Sequence, residues 1–519
     1  MLAWWALWAR VTKKSTLISL ALLGITDRMT VPSHRVLPLS PANLANLDPR
    51  VGVPRYEREG LIPGIVHIGV GGFHRAHLAT YADELAAAGH RTWAIVGSGV
   101  MPSDAAIAEV LSAQRGLYTL VTRSKDADTA QVIGSIVDYI LAADDVEPLV
   151  ARIAEPSTKI VSLTVTEGGY PVDEDAKVFD PAKAPSGPHS AFGVIVAGLA
   201  RRRDHGIGPL TVMSCDNVIE NGAVARAAVV GAADGVDPAL ARWIDANVTF
   251  PNGMVDRITP ATTDADRASL ADEYGLQDGW PVITEPFRQW VIEDEFVAGR
   301  PPLENLDITV TRDVEPYELM KLRLLNAGHS TMAYLAALAG IELVDEAMRE
   351  PVISGFLRTF LGLEAGPVLP NIPGIDVAAY QASLLERFSN PAIGDQIARL
   401  CLDGSAKFPK FLIPTVRSQL RAGGPIALSA MALAGWCSYL VGVADDGSRI
   451  VHASDPDLDG ARALAAQSLT DPARFLAYRR VFGDDLAQDE RFRSAFVAAL
   501  HELRSKGVRA TLASALNAT

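Results

Sequence analysis

Cysteine is scarce in this sequence. Its 519 residues include only Cys215, Cys401 and Cys437, which are far apart and form no Cys-x-x-Cys pair or Cys/His cluster. Such a composition suits a protein of the reducing cytoplasm. It also argues against a structural zinc site and against zinc-dependent alcohol dehydrogenase chemistry, which needs Cys, His and Glu ligands. We therefore predict a cytoplasmic protein that holds no metal.

Basic residues are in the minority as well. Lys and Arg number 47 against 61 Asp and Glu, which gives a formal net charge of −14, and no long stripe of Lys or Arg occurs. Because the phosphates of nucleic acids and of anionic membranes would repel such a chain, we predict neither as a partner. Low-complexity tracts and internal repeats are absent, and 49% of the residues are hydrophobic. We expect a globular protein with a large core.

The sequence also lacks a hydrophobic run of membrane-spanning length. Residues 1–28 join two short apolar runs around Arg10, Lys13 and Lys14. Neither run reaches the roughly 20 residues that cross a bilayer, and no A-x-A cleavage site follows the second one. We predict that translation starts at Met29 and that residues 1–28 are a non-native or disordered extension; a signal or anchor is the alternative.

The remaining chain has two patterns that predict two domains. Up to about residue 307, short runs rich in Val, Ile and Thr alternate with amphipathic stretches, which is typical of β-α units around a parallel sheet. After residue 313, long helical patterns replace this alternation. The fold class predicted is therefore α/β, with a Rossmann-type parallel-sheet domain over residues 29–310 and a mostly α-helical domain over residues 311–519.

Individual elements can be placed within this outline. In the first domain, the candidate strands are 64–69, 92–97, 159–166 and 209–214, the candidate helices are 75–88 and 191–203, and 171–188 is a candidate surface loop. In the second domain, the candidate helices are 316–339, 345–361, 378–388, 427–441, 472–482 and 489–506. The segment 427–441 is strongly apolar, but at this length it predicts a buried core helix rather than a membrane span.

The strongest local signal is the segment Ile65–His77, in which an apolar strand leads into a glycine turn and then a helix. Gly69 and Gly71 permit a tight turn and let backbone N–H groups approach a pyrophosphate at the positive end of the following helix. His74 stands where the Gly-x-Gly-x-x-Gly pattern has its third glycine. The motif alone therefore leaves open a purely structural glycine turn.

Cofactor selectivity and metal binding depend on residues near this turn. An acidic residue after the second strand commonly binds the adenosine ribose and selects NAD over NADP. Asp104 is the nearest candidate, since its carboxylate would repel a 2′-phosphate; a helix cap is the alternative. His74 and His77 lie three apart and could share a metal, but no third ligand is close in sequence, so we interpret them as packing or phosphate-side residues.

Polar residues gather on one side of the first helix of the second domain. At about 100° per residue, with Lys321 at zero, Glu318 lies at about 60° and His329 at about 80°. Asn326 follows at about 140°. Glu318 and Lys321 alone could be an ordinary surface pair. However, amide and imidazole groups in so apolar a run are expected to be buried, and buried polar groups need hydrogen-bond partners. A substrate rich in hydroxyls would supply such partners.

A competing motif overlaps this helix. Tyr317 and Lys321 have the Tyr-x-x-x-Lys spacing of short-chain dehydrogenases. Those chains are much shorter and have a single Rossmann domain, whereas here the pair opens a separate helical domain. We therefore discount it.

Five motifs follow one another along the chain: Gly69-Val-Gly-Gly-Phe-His-Arg-Ala-His77, Thr166-Glu-Gly-Gly-Tyr170, Ser214-Cys-Asp-Asn217, Phe250-Pro-Asn-Gly-Met-Val-Asp-Arg257 and Lys321-x4-Asn326-x2-His329. In their order and spacing they resemble the polyol-specific long-chain dehydrogenase/reductase family. The resemblance runs from about residue 60 to the C-terminus. It implies a Rossmann domain followed by a helical domain with the site between them, NAD(P) as hydride carrier, and no metal.

The resemblance also implies roles for individual residues. Lys321 would be the general base. Asn217 and Asn326 would hold the reacting oxygen, His329 would orient the substrate, and Glu318 would link the base to solvent. The polyol pocket would be lined by Asp256, Arg399 and Lys407. The cofactor would be contacted by Gly69, Gly71, Gly72, Phe73, Asp104 and Thr166. Ser103 beside Asp104 departs from members that are doubly acidic there, so NAD is expected and NADP is not excluded.

The implied chemistry makes demands on the base. Oxidising a secondary alcohol transfers a hydride to nicotinamide and a proton to a base, and an ordinary lysine, with a pKa of about 10.4, is protonated at neutral pH. We expect a closed cleft and the positive nicotinamide ring to favour the neutral amine of Lys321. Paired Asn amides would stabilise the charge that grows on the substrate oxygen.

The predicted activity is thus oxidation of D-mannitol to D-fructose, or of a related polyol such as D-arabinitol or D-sorbitol, by a monomer. The alternative is a uronate oxidoreductase of the same superfamily, acting on fructuronate or tagaturonate, whose carboxylate Arg399 could bind. A sugar-binding or nucleotide-binding protein that has lost catalysis is a third possibility. The intact set of Lys321, Asn217, Asn326 and His329 argues against it.

Overall fold

The structure is a computed structural model, and it describes residues 36–173, 177–184 and 189–518. The extension predicted for residues 1–28 and the start predicted at Met29 lie outside these ranges. Across the described ranges, no helix combines the length and apolarity needed to cross a membrane.

A five-stranded parallel sheet forms the centre of the first domain, as the sequence predicts. Its strands are, in spatial order, Thr211–Ser214, Ile160–Leu163, Pro63–Ile68, Ala94–Gly99 and Ile136–Leu141. The four candidate strands are confirmed, with ends that differ by up to three residues. Chain order runs outward in both directions from Pro63–Ile68, so a crevice opens at the carboxyl ends beside this strand, where α/β proteins bind their ligands.

Helices pack on both faces of this sheet. They are Gly72–Ala76, Leu78–Ala87, Ala105–Ala113, Glu147–Ala154, Ala191–Asp204, Asn221–Asp234 and Pro238–Asn247. A further helix, Asp264–Tyr274, contacts the strand Leu276–Gln277 outside this sheet. The helix predicted at 75–88 begins earlier, at Gly72, and is broken at His77, whose backbone leaves the helical region with φ −119° and ψ −91°. The helix predicted at 191–203 is confirmed, and the Ser190 hydroxyl caps it by accepting the N–H of Gly193 at 3.0 Å.

Smaller sheets flank the central one. One has the strands Gly253–Asp256, Gln289–Glu293 and Thr309–Thr311, and another has Val282–Thr284, Tyr118–Thr122, Thr129–Ile133 and Val51–Gly52. Two-stranded pairs join Leu37–Pro38 to Leu276–Gln277 and Val172–Asp173 to Val178–Phe179. The last pair lies within the segment predicted as a surface loop. Short 3-10 turns occur at Pro41–Asn46, Arg58–Gly60, Pro102–Asp104, Glu167–Gly169 and Leu303–Leu306.

The second half of the chain is helical from Glu315 onward. Its helices are Glu315–Met320, Ala327–Leu338, Val344–Arg349, Pro351–Phe360, Val377–Phe388, Ile397–Leu400, Gly404–Phe411, Ile413–Ala422, Ala427–Val441, Leu458–Gln467, Arg479–Phe482, Asp485–Gln488 and Glu490–Ala518. Two π-helical turns, Lys321–Asn326 and Leu361–Ala365, and 3-10 turns at Gly366–Val368, Pro391–Ile393 and Pro472–Ala477 complete it. The helix predicted at 489–506 continues to Ala518 across a break at Gly507, whose φ is +75°.

The hydrophobic core of the helical half reaches into the first half. The helix Ala427–Val441 is buried over nearly its whole length, as predicted for a core helix. Met254 and Val291, from the small three-stranded sheet, belong to the same apolar cluster. The helical half therefore packs directly on the strands Gly253–Asp256 and Gln289–Glu293, and the candidate site lies along this contact.

Candidate active site

Lys321 lies buried where the two halves meet. Its side chain comes from the turn that directly follows the helix Glu315–Met320, and the residue is only 6% exposed. The Nζ atom donates to Oδ1 of Asn217 at 2.6 Å and to the carbonyl oxygen of Val255. The amine of one half is thus held by a side chain and a backbone oxygen of the other.

The backbone that carries Lys321 departs from the expected helix. Residues Lys321–Asn326 form a π-helical turn, in which the N–H groups bond to carbonyls five residues back instead of four. Such a turn holds more residues than an α-helical turn, so a residue and the one five positions along are closer in angle than on an α-helix. Lys321 and Asn326 therefore share a face more closely than their separation of about 140° on an α-helix predicts. Turns of this kind occur often at functional sites.

Asn326 and His329 present polar atoms to the same region. Oδ1 of Asn326 and Nε2 of His329 are buried, and among the described residues neither atom has a hydrogen-bond partner. The His329 ring stacks on Phe388 with a centroid distance of 4.0 Å. Burial lowers the pKa of His329 to about 3, so the ring is neutral at physiological pH. Two buried groups are thus available to a polar ligand.

Asn217 is positioned by a neighbour that the sequence did not single out. Asp216 accepts the backbone N–H groups of Val165 at 3.0 Å and Thr166 at 2.9 Å, and the hydroxyl of Tyr170 at 2.7 Å. Its carboxylate therefore ties the loop after one sheet strand to the loop after the next. Because Asp216 lies inside the Ser214–Asn217 motif, this motif could have identified it.

Asn221 fixes the other side of the same loop. Its fully buried side-chain amide donates to the carbonyls of Ser214, Asp216 and Gly253, and its Oδ1 accepts the Gly253 N–H at 2.9 Å. This side chain therefore holds the Asn217 loop against the strand whose Val255 carbonyl contacts Lys321.

Glu318 lies one turn before Lys321 and is 5% exposed. Its Oε2 accepts the backbone N–H of Glu220 at 3.4 Å. Burial raises the pKa of Glu318 to about 8, Lys321 opposes this shift, and the carboxylates of Glu293 and Glu315 add to it. The group thus titrates close to neutral pH, as a group that exchanges protons should.

A cavity of about 20 Å³ lies between Glu318, Lys321 and Asn217. That volume accommodates about one water molecule. The side chains of Lys321 and Glu318 therefore border a common space in which a proton could pass between them.

Asp256 is at the end of the strand Gly253–Asp256 and forms a buried ion pair with Arg387. The distances are 2.8 Å and 3.1 Å between the two carboxylate oxygens and the two terminal guanidinium nitrogens. Burial alone would raise the pKa of Asp256, but Arg387 and Lys321 lower it below its ordinary value. Arg387 also binds Glu285, at 2.7 Å and 2.9 Å.

Arg387 and Glu285 were missed by the sequence analysis. The two carboxylates that Arg387 binds are 131 and 102 residues away along the chain. No local pattern signals such a contact, because a single arginine near the end of an amphipathic helix is ordinarily solvated or placed for the helix dipole.

The two remaining pocket candidates lie on neighbouring short helices. Arg399 is half exposed and pairs with the buried Asp395 at 2.6 Å and 2.7 Å. Both residues influence the titration of His329, which places them near it. Lys407 is partly exposed, on the helix Gly404–Phe411 that contacts the π-helical turn.

The glycine turn has the shape of a phosphate cradle. Gly69 has φ +95°, and a Cβ there would lie 2.1 Å from the Thr164 carbonyl oxygen, so the position requires glycine. Gly71 is exposed, and a Cβ there would meet nothing closer than 4.0 Å. Gly72 begins the helix. The N–H groups of Gly69 and Gly71 bond to the carbonyls of Ser98 and Gly69, so it is the start of the helix, next to the uncovered Gly71, that an anion such as a dinucleotide pyrophosphate can approach.

Phe73, His74 and His77 pack beneath the turn. Phe73 stacks on His77 at 5.0 Å, and His74 stacks on His67 at 3.4 Å. Burial lowers the pKa of His77 to about 3. No group of three His, Cys, Asp or Glu side chains able to hold a metal ion occurs in the described part of the chain. His74 and His77 are both buried in the core, which agrees with packing, one of the two roles that the sequence left open for them.

Asp104 and Thr166 stand at the carboxyl ends of sheet strands. Asp104 lies against Gly99, at the end of the second strand, and its Oδ2 accepts the Met101 N–H at 2.9 Å. This hydrogen bond is the helix cap that the sequence left open as the alternative role of Asp104. The residue also lies at the end of the second strand, where a carboxylate that binds the ribose is expected. Thr166 has φ +65°, a rare conformation for a side-chain-bearing residue, and is held by Asp216.

The glycine turn and Lys321 belong to one neighbourhood. The Val255 carbonyl contacts Lys321, and Arg257, two residues further on, donates to the carbonyl of Ala76 at the end of the turn helix. His77 is close enough to Lys321 for the lysine charge to affect its titration. The amine is therefore neither in bulk water nor remote from the turn.

Comparisons with known proteins agree with this geometry. Residues 63–305 match the model of the mannitol dehydrogenase Rossmann domain, and residues 313–504 match that of the mannitol dehydrogenase C-terminal domain. The chain is 42% identical to mannitol 2-dehydrogenase of Pyricularia oryzae over 91% of this chain and 97% of that protein.

Two solved structures are similar along nearly their whole length. One is Pseudomonas fluorescens mannitol 2-dehydrogenase in a ternary complex with NAD and D-mannitol, with a TM-score of 0.85, 41% identity, and coverage of 93% of this chain and all of that one. The other is a D-sorbitol dehydrogenase in substrate-free form, with a TM-score of 0.84, 37% identity, and coverage of 91% of this chain and all of that one.

Proposed function

The chain belongs to the mannitol dehydrogenase family, and from that premise we propose that it oxidises D-mannitol to D-fructose, or a related polyol such as D-arabinitol or D-sorbitol to its ketose. It is an NAD-dependent polyol dehydrogenase. The observation that carries the assignment of its base is the burial of the Lys321 amine between Asn217 and Val255.

Lys321 acts as the general base in this proposal. A buried amine loses the solvation of its charged form, which favours the neutral, proton-accepting state. The substrate hydroxyl takes a place within hydrogen-bond reach of Nζ, and Nζ accepts the hydroxyl proton as the carbon loses its hydride. NAD, when bound, supplies the acceptor for that hydride.

Asn217 and Asn326 stabilise the charge that develops on the substrate oxygen. Asn217 already bonds Nζ through Oδ1, which fixes the orientation of its amide and leaves the Nδ2 protons for an oxygen beside Lys321. Asn326 shares the Lys321 face through the π-helical turn. Donors held in place by the fold need no rearrangement during the reaction, which is the basis of this type of stabilisation.

Glu318 passes the proton from Lys321 towards solvent. Its pKa of about 8 and the cavity that it shares with Lys321 support this role. A base that keeps its proton can act only once, so oxidation needs such an exit.

The remaining candidates hold the polyol and the cofactor. Asp256, with its charge retained by Arg387, accepts hydrogen bonds from hydroxyl groups of the polyol, and the neutral His329 bonds another hydroxyl through Nε2. Arg399 and Lys407 border the same pocket. For NAD, Gly69, Gly71, Gly72 and Phe73 form the pyrophosphate turn, while Asp104 and Thr166 border the ribose and nicotinamide side of the crevice.

Several expectations remain part of the proposal. We propose that the reaction needs no metal, because Lys321 accepts the proton and the two Asn amides stabilise the charge on the substrate oxygen, as zinc does in zinc-dependent alcohol dehydrogenases. Activity that is retained in EDTA would support this. Both halves of the site come from one chain, so a monomer suffices, and sedimentation of the active protein measures it. The cytoplasmic location stays a prediction from the composition.

The charges of the pocket favour a neutral polyol over a uronate. A substrate carboxylate needs a cation that is not already neutralised. Of the arginines at the pocket, Arg399 is paired with Asp395 and Arg387 is paired with two carboxylates, so neither supplies such a cation. Asp256 adds a negative charge that would repel the carboxylate of a uronate. A second candidate function on such substrates is therefore not favoured.

A substrate panel tests the proposed function. NADH absorbance is followed with D-mannitol, D-arabinitol and D-sorbitol, with aldonates as the matched acidic substrates, each with NAD and with NADP and with and without EDTA. We expect turnover of at least one neutral polyol with NAD. Turnover of the aldonates alone, or of none of the compounds, would contradict the proposal.

A further inference from the structure

A single helix end contacts two of the residues expected to bind the polyol. The helix Val377–Phe388 ends in Arg387 and Phe388. Arg387 binds Asp256 through both carboxylate oxygens, and Phe388 stacks on His329. Asp256 belongs to the first half of the chain and His329 to the second. The carboxyl end of this helix therefore fixes the relative position of the two sides of the pocket.

Arg387 is held by more than Asp256. Glu285, also from the first half, accepts from Nε at 2.9 Å and from a terminal nitrogen at 2.7 Å, and its Oε1 also accepts the Ile258 N–H at 2.7 Å. The guanidinium lies over the Phe287 ring at 3.9 Å. The side chains of Arg387, Asp256 and Glu285 are at most 6% exposed.

We propose that Arg387, oriented by Glu285, is the positioning residue that keeps Asp256 ionised and aimed at the polyol. This inference rests on the proposed function and assigns roles to two residues outside the expected set. The planar guanidinium satisfies one lone pair of each Asp256 oxygen, and the others remain for substrate hydroxyls. Lysine, as a point charge, cannot hold two carboxylates in this fixed geometry.

The network also affects the base. The charged and titratable groups facing Asp256 are Arg387, Lys321, His329, Glu285 and Tyr380. Removal of the Arg387 charge leaves two buried carboxylates close together and makes the potential at Lys321 more negative. A more negative potential stabilises protonated Lys321. Loss of Arg387 therefore moves the rise of oxidation rate to higher pH, which a purely structural arginine would not do.

Four variants test the proposal: Arg387→Lys, Arg387→Gln, Glu285→Gln and, as a control, Arg504→Gln. Arg504 is a partly buried arginine of the helical half that donates to Ser468 and lies outside the site. For each variant, the KM for mannitol, the Kd for NADH, the melting temperature and the pH profile of kcat/KM are measured. The control reports what loss of a partly buried arginine does to stability alone.

We expect Arg387→Lys to raise the KM for mannitol by about tenfold to a hundredfold, as loss of a hydrogen bond to a charged group does. The NADH Kd should stay unchanged, and the pH profile should stay close to that of the wild type because lysine keeps the positive charge. Arg387→Gln, which removes the charge, should raise the KM further and shift the pH profile to higher pH. Glu285→Gln, which keeps the Asp256 pair, should raise KM less, and Arg504→Gln should leave KM and the profile alone.

The outcomes separate this inference from the proposed function. If the wild type oxidises mannitol but Arg387→Lys keeps the wild-type KM, or Arg387→Gln keeps the wild-type pH profile, Arg387 is only structural and the inference is wrong. If Arg387→Gln does not fold, the KM of Arg387→Lys and the pH profile of Glu285→Gln still decide the question, because loss of the Glu285 charge makes the potential at Lys321 less negative and should shift the profile to lower pH. If the wild type oxidises no polyol, the proposed function itself fails.

Discussion

Replacing Glu318 with Gln tests whether a proton leaves the site through this side chain. Gln keeps the size and the acceptor oxygen near the Glu220 N–H but cannot take up a proton. With a pKa of about 8, about one tenth of Glu318 is ionised at pH 7 and about nine tenths at pH 9. If the ionised form accepts the proton, the wild-type oxidation rate should rise about tenfold across this interval.

In Glu318→Gln the part of this rise that Glu318 supplies should disappear, leaving only the part due to Lys321, and kcat for oxidation at pH 9 should fall by roughly 10²-fold to 10⁴-fold, the usual contribution of a general acid or base. The assay is steady-state NADH formation from mannitol between pH 6 and 10. Glu315→Gln is the matched control, because Glu315 is exposed on the same helix and only adds to the raised pKa of Glu318. It should keep kcat and shift the profile slightly to lower pH.

The same substitution has a stability consequence of defined sign. The folded state of the wild type holds a proton on Glu318 up to about pH 8, whereas an unfolded Glu loses it near its ordinary value. The folded protein therefore loses stability as pH rises from about 4.5 to about 8. Glu318→Gln escapes this loss, so its melting temperature should exceed that of the wild type at pH 9 but not at pH 5. An unchanged rate profile together with equal melting temperatures would refute the reasoning.

Three further predictions concern the cofactor turn and the reacting oxygen. Gly69→Ala should lower the free energy of unfolding by at least about 2 kcal/mol and weaken NAD binding, because its Cβ would lie 2.1 Å from the Thr164 carbonyl oxygen. The control is Gly89→Ala, where φ is +94° but nothing lies within 4 Å, and it should lose less stability in thermal unfolding. Asp104→Ser should raise kcat/KM with NADP relative to NAD, on the order of tenfold, and an unchanged ratio would show that the carboxylate does not face the ribose. Asn326→Ala should lower kcat by about 10²-fold to 10³-fold with little change in the NADH Kd, and a normal kcat would remove Asn326 from the oxyanion role.

Much of the fold could be predicted because each signal is local. The apolar runs around residues 65, 95, 161 and 212 are strands buried on both faces, and their composition alone indicates them. The core helix Ala427–Val441 has the bounds that its apolar run predicts. The glycine turn could be predicted because Gly69 adopts a φ that other residues avoid, so the conformation of this turn requires a glycine in the sequence.

The rest depended on contacts between distant segments. The helix over 316–339 was predicted as uniform, but a π-helical turn interrupts it at Lys321–Asn326, because tertiary packing decides where such a turn forms. The ion pairs of Arg387 have no local signature. The raised pKa of Glu318 arises from burial against the other half of the chain, which no helical-wheel pattern reports.

The most direct test of the account is rapid-mixing measurement of the first turnover by Lys321→Ala with NAD and mannitol, with and without added methylamine. If Lys321 is the general base, the rate of NADH formation at pH 7 should fall by roughly 10²-fold to 10⁴-fold while the NADH Kd stays unchanged. The rate should recover in part when neutral methylamine enters the space left by the side chain. A first turnover at the wild-type rate, with no response to the amine, would contradict the assignment of Lys321 as the base.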